Sequence, residues 1–350
     1  MFDFPNSPTV GQVVTGGNGA SYQWDGVKWD ASSAITGAAA NNVGRNLIHN
    51  SMFNIAQRGV GMFATPGAYT LDRWVMNATG DTFTCGQFAA GDGARTQTGD
   101  EATTFYFSCS FTGTAGATAN TNFVQRIEGL RRVSGKTVTL SFWTRTGNAT
   151  PKVGVNMAQN FGTGGSPSAT VLVQATGISF ALTAEFTRYS CTFIIPSSAG
   201  KTFGTNNNDF LSLLFYFSAG ANTNAESGNI GVQASGNIEL WGVQLEIGNV
   251  ATPLEKLDPR IDFENCQRFY QKGFFDQCAY MVAGNSISSG FPFSVQMRAS
   301  PTVTTSNTVL NNATGLSVSS WNNSFLSFGC IATASSLTRG YGEFQASADL

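Results

Sequence analysis

Residues 135–145, "GKTVTLSFWTR", decide how this chain folds. Val138, Leu140 and Phe142 fall on one side of an extended backbone, and Thr139, Ser141, Trp143 and Arg145 on the other. This is the period-2 pattern of an antiparallel strand with one buried face. Residues 103–111 repeat it, with Phe105, Phe107, Cys109 and Phe111 opposite Tyr106, Ser108 and Ser110. Further β-rich runs lie at 81–88, 123–129, 152–162, 186–196, 210–218 and 237–248. Loops such as "GTGGSPS" (162–168) and "GTNNND" (204–209) separate them, and no amphipathic helix intervenes. The pattern predicts an all-β fold, an antiparallel jelly-roll sandwich over residues 46–255.

The composition agrees. The chain has 350 residues, enough for two or three domains with their own cores. Charged residues make up 11%, against roughly 25% in ordinary soluble domains, while there are 40 Gly and 28 Phe. A net charge of −2 offers no basic footprint for nucleic acid or an anionic membrane. The opening "MFDFPNSPTVGQ" lacks the regions of a secretory signal, and no apolar run approaches the ~20 residues that span a bilayer. No nucleic-acid partner and no membrane insertion are expected, and synthesis and retention in a cytoplasm are. The six cysteines show no CxxC spacing and read as buried free thiols.

Residues 244–272, "QLEIGNVATPLEKLDPRIDFENCQRFYQK", break the strand pattern. Asp258 is a good N-cap, Pro259 a good first helical residue and Gly273 a natural stop, which predicts a helix over 259–271. Phe263, Cys266, Phe269 and Tyr270 then share an apolar face that needs a partner. Strand patterning resumes afterwards, so 256–350 reads as a linking helix and a C-terminal β domain. At the other end, residues 1–33 form a separate module. An Asp25-Gly26 turn signals a hairpin that brings Trp24 and Trp29 together, too small to bury a core alone. Residues 34–45 read as a linker.

Four blocks, taken in order, resemble the module order of phage tail-fibre and related virion appendage proteins. They are "FPNSPTVGQ…YQWDGVKW", "RNLIHNSMFNIAQRG…YTLDRW", "VQRIEG…GKTVTLSFWTR" and "WGVQLEIGNVATPLEKLDPRIDFENCQRFYQK". The likeness runs over most of residues 4–272, and the fourth block is the most specific. It implies an N-terminal hairpin that attaches to other virion proteins, a carbohydrate-binding jelly roll and a trimeric distal domain. No collagen-like or heptad shaft is present, which implies a short appendage, and residues after 273 carry no motif that can be assigned. The expected function is a tail fibre or receptor-binding appendage in the virion, assembled in the host cytoplasm and contacting host surface glycans. A capsid head fibre or decoration protein is the alternative, and a polysaccharide depolymerase ranks below both.

Catalytic chemistry is poorly provided for. The single histidine, His49, reads as structural, which leaves no three-His zinc site and no base for a Ser or Cys nucleophile. A glycosidase needs two carboxylates roughly 5–9.5 Å apart, and among Asp81, Glu128, Glu185, Asp209 and Glu239 nothing local singles out a pair. No enzyme activity, cofactor or metal is expected. Sugar binding needs an aromatic face and planar polar groups. Trp143 and Arg145, with Tyr216 from the strand at 210–218, point away from the expected core and form the candidate platform. Trp24 and Trp29 are the candidates for virion attachment, and Phe263, Phe269 and Tyr270 for the interface of a homotrimer. The C-terminal domain, with its polar strands and an "NTVLNNATG" loop, is expected to meet the host first.

Overall fold

The computed structural model describes residues 4–10, 12–15, 21–24, 26–32, 44–147, 151–320 and 322–350. The alternating strands pair into two antiparallel sheets that face each other. One runs, in spatial order, Val171–Leu172, Lys152–Asn160, Phe210–Ala219, Asn120–Glu128, Trp74–Thr79 and Ala68–Tyr69. Ile178–Ala181 also pairs with Lys152–Asn160. The other runs Thr187–Ile194, Thr137–Thr146, Gly236–Ile247, Phe105–Thr112 and Thr82–Ala89. Every strand expected in this region is present, and the chain passes repeatedly from one sheet to the other.

Between the sheets the inward residues make a phenylalanine-rich core. Val138, Leu140, Phe142, Leu211, Leu213, Phe215 and Phe217 are all buried in it. Phe107 stacks on Phe123 at 3.8 Å between ring centroids, and Trp74 stacks on the other side of Phe123 at 4.6 Å. The large aromatic rings supply the apolar area that a weakly charged chain needs for stability.

The outer faces differ from expectation. Thr139, Ser141 and Tyr216 point away from the core yet are buried, because chain outside the strands lies over both sheets. Arg188 donates to Ser141 Oγ and to the Thr252 carbonyl, which holds the segment after Ile247 across the five-stranded sheet. A short helix, α1 (Asp92–Thr98), covers a second apolar cluster there, containing Trp241 and Phe186. On the opposite sheet the loop at 220–233 approaches so closely that a Cβ on Gly154 would stand 2.0 Å from the Ser227 carbonyl oxygen. Only glycine fits that position.

The linking helix, α2 (Pro259–Gln267), starts as expected, with the Asp258 side chain accepting from the Arg260 N–H at 2.9 Å. It ends earlier. Gly273 is not a helix stop but lies within the strand Tyr270–Met281, which pairs residue for residue with Ser336–Ser347. Twelve backbone pairings outweigh one further helical turn, so Phe269 and Tyr270 leave the helix.

Two three-stranded sheets follow. Tyr270–Met281, Ser336–Ser347 and Thr302–Asn311 form one, and Ser286–Pro292, Phe325–Ala332 and Ala313–Ser320 the other. Phe275 and Phe328 stack at 3.7 Å in their shared core. Residues 307–315 are not a loop but the ends of two strands, with Asn312 between them at φ +51°.

The N-terminal module is a three-stranded sheet of Val13–Thr15, Ser21–Trp24 and Trp29–Ser32. Trp24 pairs with Trp29, so the connection has four residues rather than two; Asp25 lies outside the described residues. The two indoles meet at 5.6 Å and Phe4 stacks on Trp29 at 5.1 Å. The linker reading falls on residues largely outside the described set. All six cysteines are free, but Cys278 is exposed and Cys191 half-buried rather than buried.

Candidate functional site

The three residues proposed as a sugar platform do not meet. Trp143 and Arg145 lie on the five-stranded sheet and Tyr216 on the other, so they occupy opposite outer faces of the sandwich. Trp143 is capped by the Arg188 guanidinium at 4.8 Å and packs edge-on against Trp241. Arg145 pairs with Glu239 and donates to Gln97 at 3.0 Å. Tyr216 is 2% exposed, and its hydroxyl donates to Glu226 at 3.2 Å. Burial, then the Glu226 carboxylate, pushes its pKa up. Each of the three is engaged by neighbours within the chain, and Trp143 and Arg145 are half-buried. Of the proposed trimer contacts, Phe269 and Tyr270 are buried within the chain and only Phe263, 39% exposed, reaches the surface.

What the quoted blocks do build is a polar junction between the sandwich and the C-terminal domain. The Asn50 side chain donates to the carbonyls of Ile55 and Asp72, while its N–H donates to Asp262 Oδ1 at 3.0 Å. Gln57 Nε2 donates to Asp72 Oδ1 and to the Tyr270 carbonyl. Asp349 binds Arg58 and stands 3.7 Å from Arg73 Nη1. Tyr69 and Arg126 both donate to the Leu350 carbonyl, and Arg268 pairs with Glu128. The Arg73 guanidinium lies 3.3 Å over the Phe269 ring.

Asn50, Phe53 and Arg73 adopt left-handed φ values of +51°, +59° and +74°. Such conformations cost roughly 1–3 kcal/mol each outside glycine and persist only where surrounding bonds impose them. Burial raises the pKa of both Asp72 and Asp262. His49 lies half-buried beside this lattice, its pKa lowered to about 3 by burial first and then by Arg73, Arg132 and Arg268. It is a neutral imidazole, as its structural reading requires.

Two clefts flank the junction. The first, of about 610 Å³, lies between the sandwich and the strand Tyr270–Met281. Phe274, 59% exposed, stands on its wall with Tyr270 and Phe344, among the polar groups of Gln57, Glu343 and Gln345. The Tyr270 hydroxyl donates to Gln345 Oε1 at 2.9 Å and the Arg58 guanidinium lies 3.6 Å over the Tyr270 ring, so both side chains are held in place. A Cβ on Gly273 would stand 2.8 Å from the Phe344 ring, so glycine there lets that ring lie against the strand. Sequence reasoning missed this site. The alternation of "GFFD" marks Phe274 and Phe275 as facing opposite ways, but not which of them faces out.

The second cleft, of about 540 Å³, contains Glu128 and Asp209. The other carboxylates considered for catalysis serve elsewhere. Asp81 accepts from Thr114 and Thr121, Glu239 holds Arg145, and Glu185 sits on an exposed loop. Among the described residues no group of three His, Cys, Asp or Glu stands close enough to hold a metal.

No family model and no curated protein matches the chain. Several solved structures are similar to it at low identity. One is the enzymatically active domain of tailspike protein 4 of bacteriophage CBA120, 16% identical, covering 58% of this chain at a TM-score of 0.31. This chain spans only 22% of that one. A family 11 carbohydrate-binding module of Clostridium thermocellum, in complex with a mixed-linked β-1,3-1,4 tetrasaccharide, is 10% identical at a TM-score of 0.31, over 56% of this chain and 99% of its own. The xylan-binding domain CBM22-1 of Paenibacillus barcinonensis Xyn10C is 13% identical at 0.29, over 59% and 96%. At TM-scores this low, the likenesses identify no ligand and no role.

Proposed function

We propose that this chain is a non-enzymatic phage appendage protein, a tail fibre or receptor-binding component of the virion, that binds host surface glycans in the cleft between sandwich and C-terminal domain. The observation that carries the glycan reading is the lining of that cleft. It sets the exposed Phe274 ring, on the same strand face as the anchored Tyr270, among the amides of Gln57 and Gln345. A pyranose presents an apolar face to an aromatic ring and hydroxyls to planar amides, and the cleft is large enough for two or three sugar units. It also involves the C-terminal domain, the end expected to reach the host first. The virion role rests on the resemblance of the four sequence blocks.

The test is binding of the full chain to an array of bacterial surface oligosaccharides, with Phe274→Ala beside it. Phe274 is exposed, so the variant is expected to fold normally and lose at least tenfold in affinity for whichever glycan binds. Unchanged binding by Phe274→Ala would move the site elsewhere.

Virion attachment has its own test. A chain lacking residues 1–33 should remain folded but fail to enter particles, because Trp24 and Trp29 are gone. Normal incorporation would place the anchor in another module, and density confined to the capsid would favour the head-decoration reading.

A further inference from the structure

The second cleft has a different chemistry from the first. Arg126, Arg132 and Arg268 line it, Arg73 borders it, and Glu128 and Asp209 complete its charges. Four guanidiniums face two carboxylates, and with Asp349 standing 3.7 Å from Arg73 the cleft still carries an excess of positive charge in a chain whose net charge is −2.

Both carboxylates are already engaged. Glu128 is held by two nitrogens of Arg268, and Asp209 Oδ2 accepts the Leu130 N–H at 2.8 Å. Arg126 is committed to the Leu350 carbonyl. Arg132 is not committed: it is exposed, and its guanidinium makes no hydrogen bond or ion pair among the described residues. Around it the cleft presents the side-chain amides of Asn207 and Asn265.

Deeper in, Arg73 is 2% exposed, and its Nε has no hydrogen-bond partner among the described residues. The same holds for His49 Nδ1. Burial first, and then Arg73, Arg132 and Arg268, lower the pKa of His49, which is the response of an imidazole held among these guanidiniums.

We infer that this cleft binds the carboxylate of an acidic sugar, with Arg132 as the charge contact and Asn207 and Asn265 placed to bond the ring hydroxyls. A free guanidinium pairs with a carboxylate through two parallel N–H donors, and a walled cleft strengthens the field they act in. The inference rests on the glycan-binding reading but uses another cleft and other residues.

The experiment is calorimetric titration of the full chain with two acidic probes, a glucuronic-acid-containing tetrasaccharide and 3′-sialyllactose. Each is compared with its neutral counterpart, the carboxyl-reduced tetrasaccharide and lactose, and inorganic phosphate is titrated separately. At least one acidic probe is expected to bind about tenfold or more tightly than its neutral counterpart. Arg132→Ala should abolish that difference and Asn265→Ala should weaken it, while Phe274→Ala should leave it unchanged. Equal binding of acidic and neutral probes, or an acidic preference that survives Arg132→Ala, overturns the inference. Phosphate binding as tightly as the acidic sugar would overturn the sugar assignment and leave a simple anion site. If no saccharide binds at either cleft, the glycan reading itself fails, whereas loss confined to Phe274→Ala or to Arg132→Ala separates the two clefts.

Discussion

Replacing Asp349 with alanine is expected to cost about 3–5 kcal/mol of stability, a large effect for a residue one position from the last in the chain. Its carboxylate binds Arg58, lies 3.7 Å from Arg73 and accepts from Ser347 Oγ at 2.9 Å. Both arginines are largely withdrawn from water, with side chains 13% and 2% exposed. Removing the acid leaves two poorly hydrated guanidiniums without their counter-charge, which is far worse than losing a surface ion pair. Because the lattice joins the sandwich to the C-terminal domain, the loss should show as a lower urea midpoint and as early exposure of the C-terminal domain to protease. The double variant Asp349→Ala/Arg58→Met should be less unstable than the single one, since one orphaned charge is gone. A shift below about 1 kcal/mol for Asp349→Ala would mean that water already solvates these arginines.

The second large effect is on pH. His49 has a folded-state pKa of about 3, against 6.5 for the free side chain. The folded pKa is depressed, so between these values the unfolded chain holds more protons than the folded one. The stability from the neutral imidazole is fully present above pH 6.5 and is lost progressively as pH falls through about 3. A shift of this size corresponds to roughly 4–5 kcal/mol at its limit. Asp72 and Asp262, raised by burial, act in the opposite direction, so the total pH curve mixes both signs. The difference between the native chain and His49→Gln isolates the histidine. Denaturation at pH 7 and pH 4 should show the native chain losing several kcal/mol more than the variant, and parallel losses would refute a neutral His49 in the folded chain.

The sequence by itself determined the class of fold. Strand alternation depends on each residue's immediate neighbours, so Val138, Leu140 and Phe142 could be assigned to the core without knowing what they touch, and the structure buries all three. The start of α2 was legible for the same reason, since Asp258 and Pro259 act on the backbone beside them. Its end was not. Phe269 and Tyr270 suit a helix or a strand equally well, and the choice fell to pairing with residues 347–348, nearly eighty positions away.

Side-chain exposure on the outer sheet faces was decided only by tertiary structure. Period-2 alternation tells which residues point away from the core, as Trp143, Arg145 and Tyr216 do, but not whether α1, the segment after Ile247 or the loop at 220–233 will lie over them. The blocks that carry the resemblance lie far apart in the sequence, and nothing local joins them. Folding draws parts of the second, third and fourth blocks into one buried junction with Asp349, where Asn50, Asp72 and Asp262 find their hydrogen-bond and ion-pair partners. Both clefts are by-products of that junction. Each is lined by the sandwich on one side and by residues beyond 260 on the other, a proximity that no local pattern encodes.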